Sequence, residues 1–264
     1  MKKILITGSG SGLGKEAAIF LAKRGHQVYA TTHYVEEVEY LNNYAKENKL
    51  NLIAFKLDIL LEEDRNKVLD IDIDTYIANA AIGDSGSVAE IDINRLKDVF
   101  ETNIFCNILL AQIVIRKMVD KKINGRLIFL SSLCGRIPLP FLSPYCSSKF
   151  ALESFIQCLR IEMKQVSSPN IEVCIIEPGA YATGFNKINY EKKYIWMKGN
   201  SYFKYKCEKF KKIEDKFWNI IELKNFNSII DKYVRAVENK KVKFRYTAPK
   251  YQAIIIHIGR ILGF

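Results

Sequence analysis

The stretch Gly8-Ser9-Gly10-Ser11-Gly12-Leu13-Gly14 stands between an apolar run that ends at Thr7 and a segment, residues 15–23, with Ala18, Leu21 and Ala22 at helical spacing. Four glycines in seven positions continue neither a strand nor a helix, so the order reads strand, glycine turn, helix. Such a turn lets backbone amides come close to a pyrophosphate. The helix that follows presents unpaired N–H groups and the positive end of its dipole to the same point. The opening of the chain therefore predicts a dinucleotide-binding α/β protein.

The rest of the chain repeats the alternation. Residues 27–32, 52–58, 74–81, 126–132 and 171–176 read as strands, and residues 35–46, 62–69, 91–119 and 145–165 as helices, with 91–119 forming one or two of them. Strands and helices alternating at these lengths predict a Rossmann-like doubly wound parallel sheet, whose ligands bind beyond the carboxyl ends of the strands. The turns at 79–83 and 177–183 then face the same crevice as the glycines. At 264 residues the chain is expected to be one domain, residues 1–264, with a substrate lid at 184–225 and an apolar, basic tail at 246–264.

Composition narrows the function classes. A hydrophobic content of 48% suits a globular protein, and no apolar segment is expected to cross a bilayer. Glycines interrupt the first apolar run, so the start reads as that of a mature cytoplasmic protein. The six cysteines (106, 134, 146, 158, 174 and 207) include no Cys-x-x-Cys pair, so neither a metal site nor a disulfide framework is expected. The formal charge of +11 attracts polyanions, but the lysines are spread through the chain, and no nucleic-acid partner is expected.

Dinucleotide folds place an acid about 20 residues past the glycines to hold the adenosine ribose of NAD. Around Thr32-His33-Tyr34 there is none. Thr32 then serves as a hydroxyl donor with His33 or Lys15 as cationic partner, and the expected cofactor is NADP in preference to NAD. Further on, Tyr145 and Lys149 stand four residues apart at the start of a helix, hence on one face. A cation within a few ångströms favours the phenolate, which makes Tyr145 a candidate acid or base. Ser131 and Ser132 end the fifth strand, and Asn103 falls within the apolar pattern of the 91–119 helix.

With these residues in place the chain resembles the short-chain dehydrogenase/reductase family over roughly residues 2–183. Thr7-Gly8-x-x-x-Gly12-x-Gly14 is similar to its cofactor turn, Asp58 to its adenine-contacting acid, and Asn79-Ala80 to its strand-stabilising turn. Asn103, Ser132, Tyr145 and Lys149 match its catalytic tetrad, and Pro178-Gly179 and Thr183 the segment that holds the nicotinamide. The resemblance thus implies cofactor contacts at Gly8, Ser11, Gly12, Leu13, Gly14, Thr32, His33, Asp58, Ile59, Asn79, Ala80, Tyr145, Lys149, Pro178, Gly179 and Thr183. Ala78 and Ala81 depart from the usual Asn and Gly, and Ser11 stands where NADP-preferring members often carry a base.

The resemblance implies an NAD(P)-dependent oxidoreductase of CH–OH and C=O groups. In it Tyr145 handles the proton, Lys149 lowers the Tyr145 pKa and binds the nicotinamide ribose, Ser132 holds the substrate oxygen, and Asn103 anchors a water. It also implies a homodimer or homotetramer built through residues 103–119 and 145–165. Aromatic residues in the lid, among them Phe185, Tyr190, Tyr194, Trp196 and Phe210, are expected either to line a pocket for an apolar small-molecule substrate or to pack the lid onto the sheet. The tail, with Lys250 and Arg260 among isoleucines, packs on the protein, on a second subunit or on a membrane surface. The alternative functions are a cofactor-sensing regulatory protein and a membrane-surface interaction protein.

Overall fold

The central strands read as unbroken apolar runs because both of their faces are covered. In β1 (Lys3–Ile6) residues Ile4, Leu5 and Ile6 are fully buried. Successive side chains point to opposite faces, so Ile4 and Ile6 join one core cluster and Leu5 the other. The structure, a computed structural model, describes residues 1–263.

From β1 the chain runs through α1 (Gly12–Lys23), β2 (Gln27–Thr32), α2 (Val35–Glu47), β3 (Leu52–Lys56), the short α3 (Glu62–Asn66) and β4 (Thr75–Ala78). It continues through α4 (Ile93–Phe100), a π-helical stretch (Glu101–Cys106), α5 (Asn107–Asp120), β5 (Gly125–Leu130), α6 (Ser143–Met163) and β6 (Ile171–Pro178). Last come α7 (Phe185–Met197), α8 (Cys207–Ile221), α9 (Asn227–Glu238), β7 (Arg245–Ala248) and α10 (Lys250–Ile261). The seven strands form one sheet in the order β3-β2-β1-β4-β5-β6-β7, parallel throughout. The order reverses between β1 and β4, where Leu5 lies between Tyr29 and Tyr76. Crossovers on either side of that point diverge and leave a crevice beyond the carboxyl ends.

One core cluster packs α1 and α9 onto the sheet through Ala17, Leu21, Ile229 and Tyr233. The other packs α5 and α6 through Leu110, Val114 and Ile156. A third, with Tyr190, Tyr194, Met197 and Trp218, holds α7 and α8 together over the segment before α6.

Three expectations change. Residues 246–248 of the supposed tail belong to β7, which pairs with β6 from Ile175↔Arg245 to Pro178↔Ala248; only α10 lies outside the sheet, and Phe264 lies outside the described residues. A strand of four residues is too short to show an alternation of its own. The segment 62–69 divides into α3 and a 3₁₀ turn, Lys67–Asp70. The continuous helix Ile93–Asp120 is, at 28 residues, long and apolar enough to cross a membrane, contrary to the sequence reading. Of its most apolar window 56% is buried within the protein, so that apolarity belongs to the core.

Candidate active site

The glycine turn is shaped by crowding as well as by backbone angle. Gly8 and Gly12 have φ of 65° and 54°, the left-handed region that side chains disfavour. A Cβ on Gly14 would fall 2.3 Å from Gly8 O and 2.4 Å from Asn79 Nδ2. Asn79 is the clamp of this turn: its Nδ2 donates to Thr7 O and Gly8 O, each at 2.9 Å. Thr7 Oγ1 accepts from the backbone N–H groups of Asn79 and Ala80 at 3.1 Å. Tyr233 of α9, a residue that sequence reasoning missed, donates its hydroxyl to Asn79 Oδ1 at 2.8 Å. At the start of α1, Ser11 makes no side-chain cap and the first turn carries no acid, so the amide donors of Gly12, Leu13 and Gly14 face the crevice uncompensated.

Thr183 closes the turn from the other side. A Cβ on Gly12 would meet the Thr183 Cβ at 3.3 Å. Pro178 ends β6, and Gly179 packs so closely under Gln252 of α10 that a Cβ there would fall 2.1 Å from Oε1.

At the adenosine end the predicted residues divide. Thr32 is buried and its hydroxyl donates to Tyr34 O at 2.8 Å, so it is not a free donor. His33 is exposed, and its Nδ1 lies 3.4 Å from Asp58 Oδ2. Asp58 also accepts from Leu60 N at 2.9 Å. The Ile59 side chain is buried in the core under α5, which leaves only its backbone for a ligand. Lys15 lies over the Tyr40 ring, 5.3 Å from its centre. An acid reaches the glycines from the first turn of α2: the Glu37 carboxylate rests against Gly10, its Oε2 1.8 Å from where a Cβ would stand. A motif search centred on the strand end passes over Glu37, because only the first turn of a helix carries it back to the glycines.

The four tetrad residues come from three elements. Pro144 fits the first turn of α6, whose N–H would be unpaired anyway, and Tyr145 and Lys149 follow on one face. Lys149 is buried; its Nζ donates to Leu130 O at 2.8 Å and stands 5.6 Å from the centre of the Tyr145 ring. Ser132, just past β5, accepts from Cys134 N at 3.1 Å, and its hydroxyl stands on the side of the Tyr145 phenol. Phe185, the first residue of α7, tilts against Tyr145 with ring centres 5.5 Å apart.

Burial governs the charges here. It pushes the Tyr145 phenol well above its ordinary value, with Cys134 adding to the rise and the Ser132 hydroxyl opposing it. Burial also draws Lys149 down to about 8, against the pull of Glu153 behind it. Burial is thus the largest influence on Tyr145 in this structure, and Ser132 the one that opposes it.

The side-chain amide of Asn103 is fully engaged. It lies in the π-helical stretch, fully buried, where Oδ1 accepts from Ile82 N at 2.8 Å and Nδ2 donates to Ile82 O at 2.9 Å and to Ser148 Oγ at 3.0 Å. Its amide ties the loop after β4 to α6 and does not reach Lys149. Through these bonds the Asn103 side chain positions the helix that carries Tyr145.

Beneath Lys149 lies a charged layer with no sequence signal. Glu177, fully buried, accepts from Arg136 Nε at 2.6 Å, Arg245 Nη1 at 2.8 Å and Thr247 Oγ1 at 2.5 Å. The lid aromatics are mostly packing: Tyr190 stacks on Trp218 and donates to Asp215, and Tyr194 donates to Glu214. An apolar groove of about 220 Å³ remains beside them, lined by Leu139, Phe141, Phe210, Ile213, Phe217 and Trp218 among others.

Sheet order, glycine turn and the Ser132, Tyr145, Lys149 cluster at one switch-point crevice define a doubly wound α/β protein of Rossmann type with its site beyond the strand ends. Residues 2–193 match the family model described as short chain dehydrogenase, and the chain belongs to the short-chain dehydrogenase/reductase family. An uncharacterized oxidoreductase of Bacillus subtilis, YxnA, is 30% identical over 190 residues, 70% of this chain and 53% of that protein. Human retinol dehydrogenase 8 is 31% identical over 191 residues, 70% of this chain and 60% of that protein. The matches thus span about half to three-fifths of the length of these relatives. The crystal structure of a family member from Burkholderia phymatum in complex with NAD superposes with a TM-score of 0.81 over 99% of this chain and 94% of that one; at 15% identity it supports the fold alone.

Proposed function

We propose that the protein is a nicotinamide-dinucleotide-dependent oxidoreductase acting between a carbonyl and the corresponding alcohol. The observation that carries this reading is the convergence of Ser132, Tyr145 and Lys149 beside the glycine turn. The residues present fit the cofactor: Gly14 leaves no room for a Cβ, and the capless, acid-free start of α1 suits a pyrophosphate. When bound, the nicotinamide ring donates or accepts the hydride.

The chain's own residues handle the proton and the charge. Tyr145 gives its phenol proton to the substrate oxygen during reduction, or takes it during oxidation. Ser132 donates a hydrogen bond to that oxygen and stabilises the charge developing on it. Lys149, held by Leu130 O, places an ammonium beside the phenol and would hold the nicotinamide ribose when the cofactor is bound. Phe185 covers Tyr145 and limits water at the reacting atoms.

Glu37 turns the expected preference. A carboxylate resting on Gly10 accepts from ribose hydroxyls and repels a 2′-phosphate, so NAD is the favoured cofactor and NADP the poorer one. The apolar groove at the lid supports an apolar alcohol or carbonyl as substrate, as does the relative named retinol dehydrogenase 8. Exposed apolar residues on the helices expected at the subunit contact, Phe105 and Leu109 near α5 and Phe150, Phe155 and Ile161 on α6, support a homodimer or homotetramer. With six cysteines free, the proposed location is the reducing cytoplasm.

The test is titration with NADH and NADPH, followed by turnover on a panel of carbonyls and alcohols. Tyr145→Phe is expected to lose about 10²–10⁴ in kcat while nucleotide Kd stays within a factor of about two. A variant that turns over normally would remove Tyr145 from the reaction, and binding of neither nucleotide would end the reading.

A further inference from the structure

Helix α10 has no buried residue. It is held to the body by Gln252, whose Oε1 accepts from Ala180 N at 2.8 Å and whose Nε2 donates to Ile221 O at 2.9 Å. On its outer side Tyr251, Ile254, Ile255, Ile258, Ile261 and Leu262 follow one another at helical spacing, each 51–72% exposed. A continuous apolar stripe of this length is unusual on a water-facing surface. Helix α8, whose last residue Gln252 holds, carries an apolar row of its own: Ile213, Phe217 and Ile220 stand at i, i+4 and i+7, exposed by 55%, 45% and 71%.

Charge says what covers this face. Residues 239–263 contain no Asp or Glu. Lys212, Lys216, Lys224, Lys250 and Arg260 are exposed and make no ion pair among the described residues. The acids of α8 are engaged elsewhere: Glu214 with Lys193 and Tyr194, Asp215 with Tyr190, and Glu208 with Lys198. A second copy docked symmetrically would set these cations against their own images with no acid between them. An anionic lipid surface meets both features, because its headgroups pair with the cations while the isoleucines enter the acyl boundary.

We propose that α10 and the outer face of α8 dock the protein on an anionic lipid surface. Ile213 and Phe217 line both this face and the apolar groove of the lid, so docking sets the groove's rim at the lipid boundary. The docking itself does not depend on the proposed reaction.

The experiment is co-sedimentation of the whole chain with vesicles of phosphatidylcholine alone and with added phosphatidylserine. The protein is expected to pellet with the anionic vesicles at least about ten-fold better, and high salt is expected to release it. Ile254→Glu with Ile258→Glu removes the pelleting at unchanged circular dichroism and unchanged nucleotide affinity, and Lys250→Gln with Arg260→Gln weakens it several-fold. Protein that stays in the supernatant with both vesicles overturns the proposal, as does a double glutamate variant that pellets like the parent. A parent dimer that the same glutamates convert to monomer, without vesicle binding, assigns the face to a second copy and overturns it too.

Discussion

At the scale of single residues, desolvation outweighs proximity. Lys149 stands on the same face as Tyr145, yet burial is the largest influence on each of them, raising the phenol and lowering the ammonium. With its pKa drawn from 10.5 to about 8, Lys149 carries its charge below that pH and loses it above. The kcat/KM of the free enzyme should therefore fall as pH rises through about 8, read from a pH profile on a saturable substrate. Lys149→Arg, which keeps its charge, should move that limb out of range. The sign for stability follows: between about 8 and 10.5 the unfolded chain holds this proton and the native one does not, so Lys149 makes stability rise with pH across that window. Asn103 gives the companion lesson. Its position was legible from the motif, but its partners Ile82 and Ser148 were not, because hydrogen-bond geometry is settled by where the π-helical turn meets α6.

At the scale of elements, the glycine turn was legible because its chemistry is local. Its tightness was not, since the atoms that crowd Gly14 belong to Gly8 and to Asn79, a residue 65 positions further on. Gly14→Ala should raise the nucleotide Kd about ten-fold or more, about 1.4 kcal/mol, by calorimetric titration. Gly25→Ala is the control: its φ is 87° and nothing lies within 4 Å, so it should cost about 1 kcal/mol of stability by denaturant unfolding and leave nucleotide affinity alone. Helix α2 teaches the same from the other direction. Glu37 reads as one of several glutamates on an exposed helix until the strand–helix turn after β2 folds its first turn back over Gly10.

At the scale of the whole molecule, the first and last thirds of the chain close on one another. Arg24 at the end of α1 donates from Nε and Nη2 to Glu238 at the end of α9, at 2.6 and 2.7 Å, and His26 approaches the same carboxylate at 3.0 Å. Arg24 first, then His26, hold Glu238 at about 2, below its ordinary 4.5, against the opposing effect of burial. The stabilisation is therefore fully present above about 4.5 and is lost as pH falls through about 2. Glu238→Gln should melt below the parent at neutral pH, and the gap in Tm should narrow steadily below pH 4.5. A gap that stays constant to the lowest pH measured would show that the carboxylate's charge is not what joins α1 to α9.

The sequence by itself determined the alternation of strands and helices, the parallel sheet, the glycine turn and the positions of Ser132, Tyr145 and Lys149. These rest on periodicity, on turn chemistry and on spacing within one element, all of which act over a few residues. Only the tertiary structure decided that Glu37 faces Gly10, that Tyr233 and Asn79 brace the turn, that residues 246–248 finish the sheet and that α10 turns its isoleucines outward. Each of those is a meeting of segments distant in the chain or a consequence of which face remains uncovered, and no local pattern carries that information until the layers have packed.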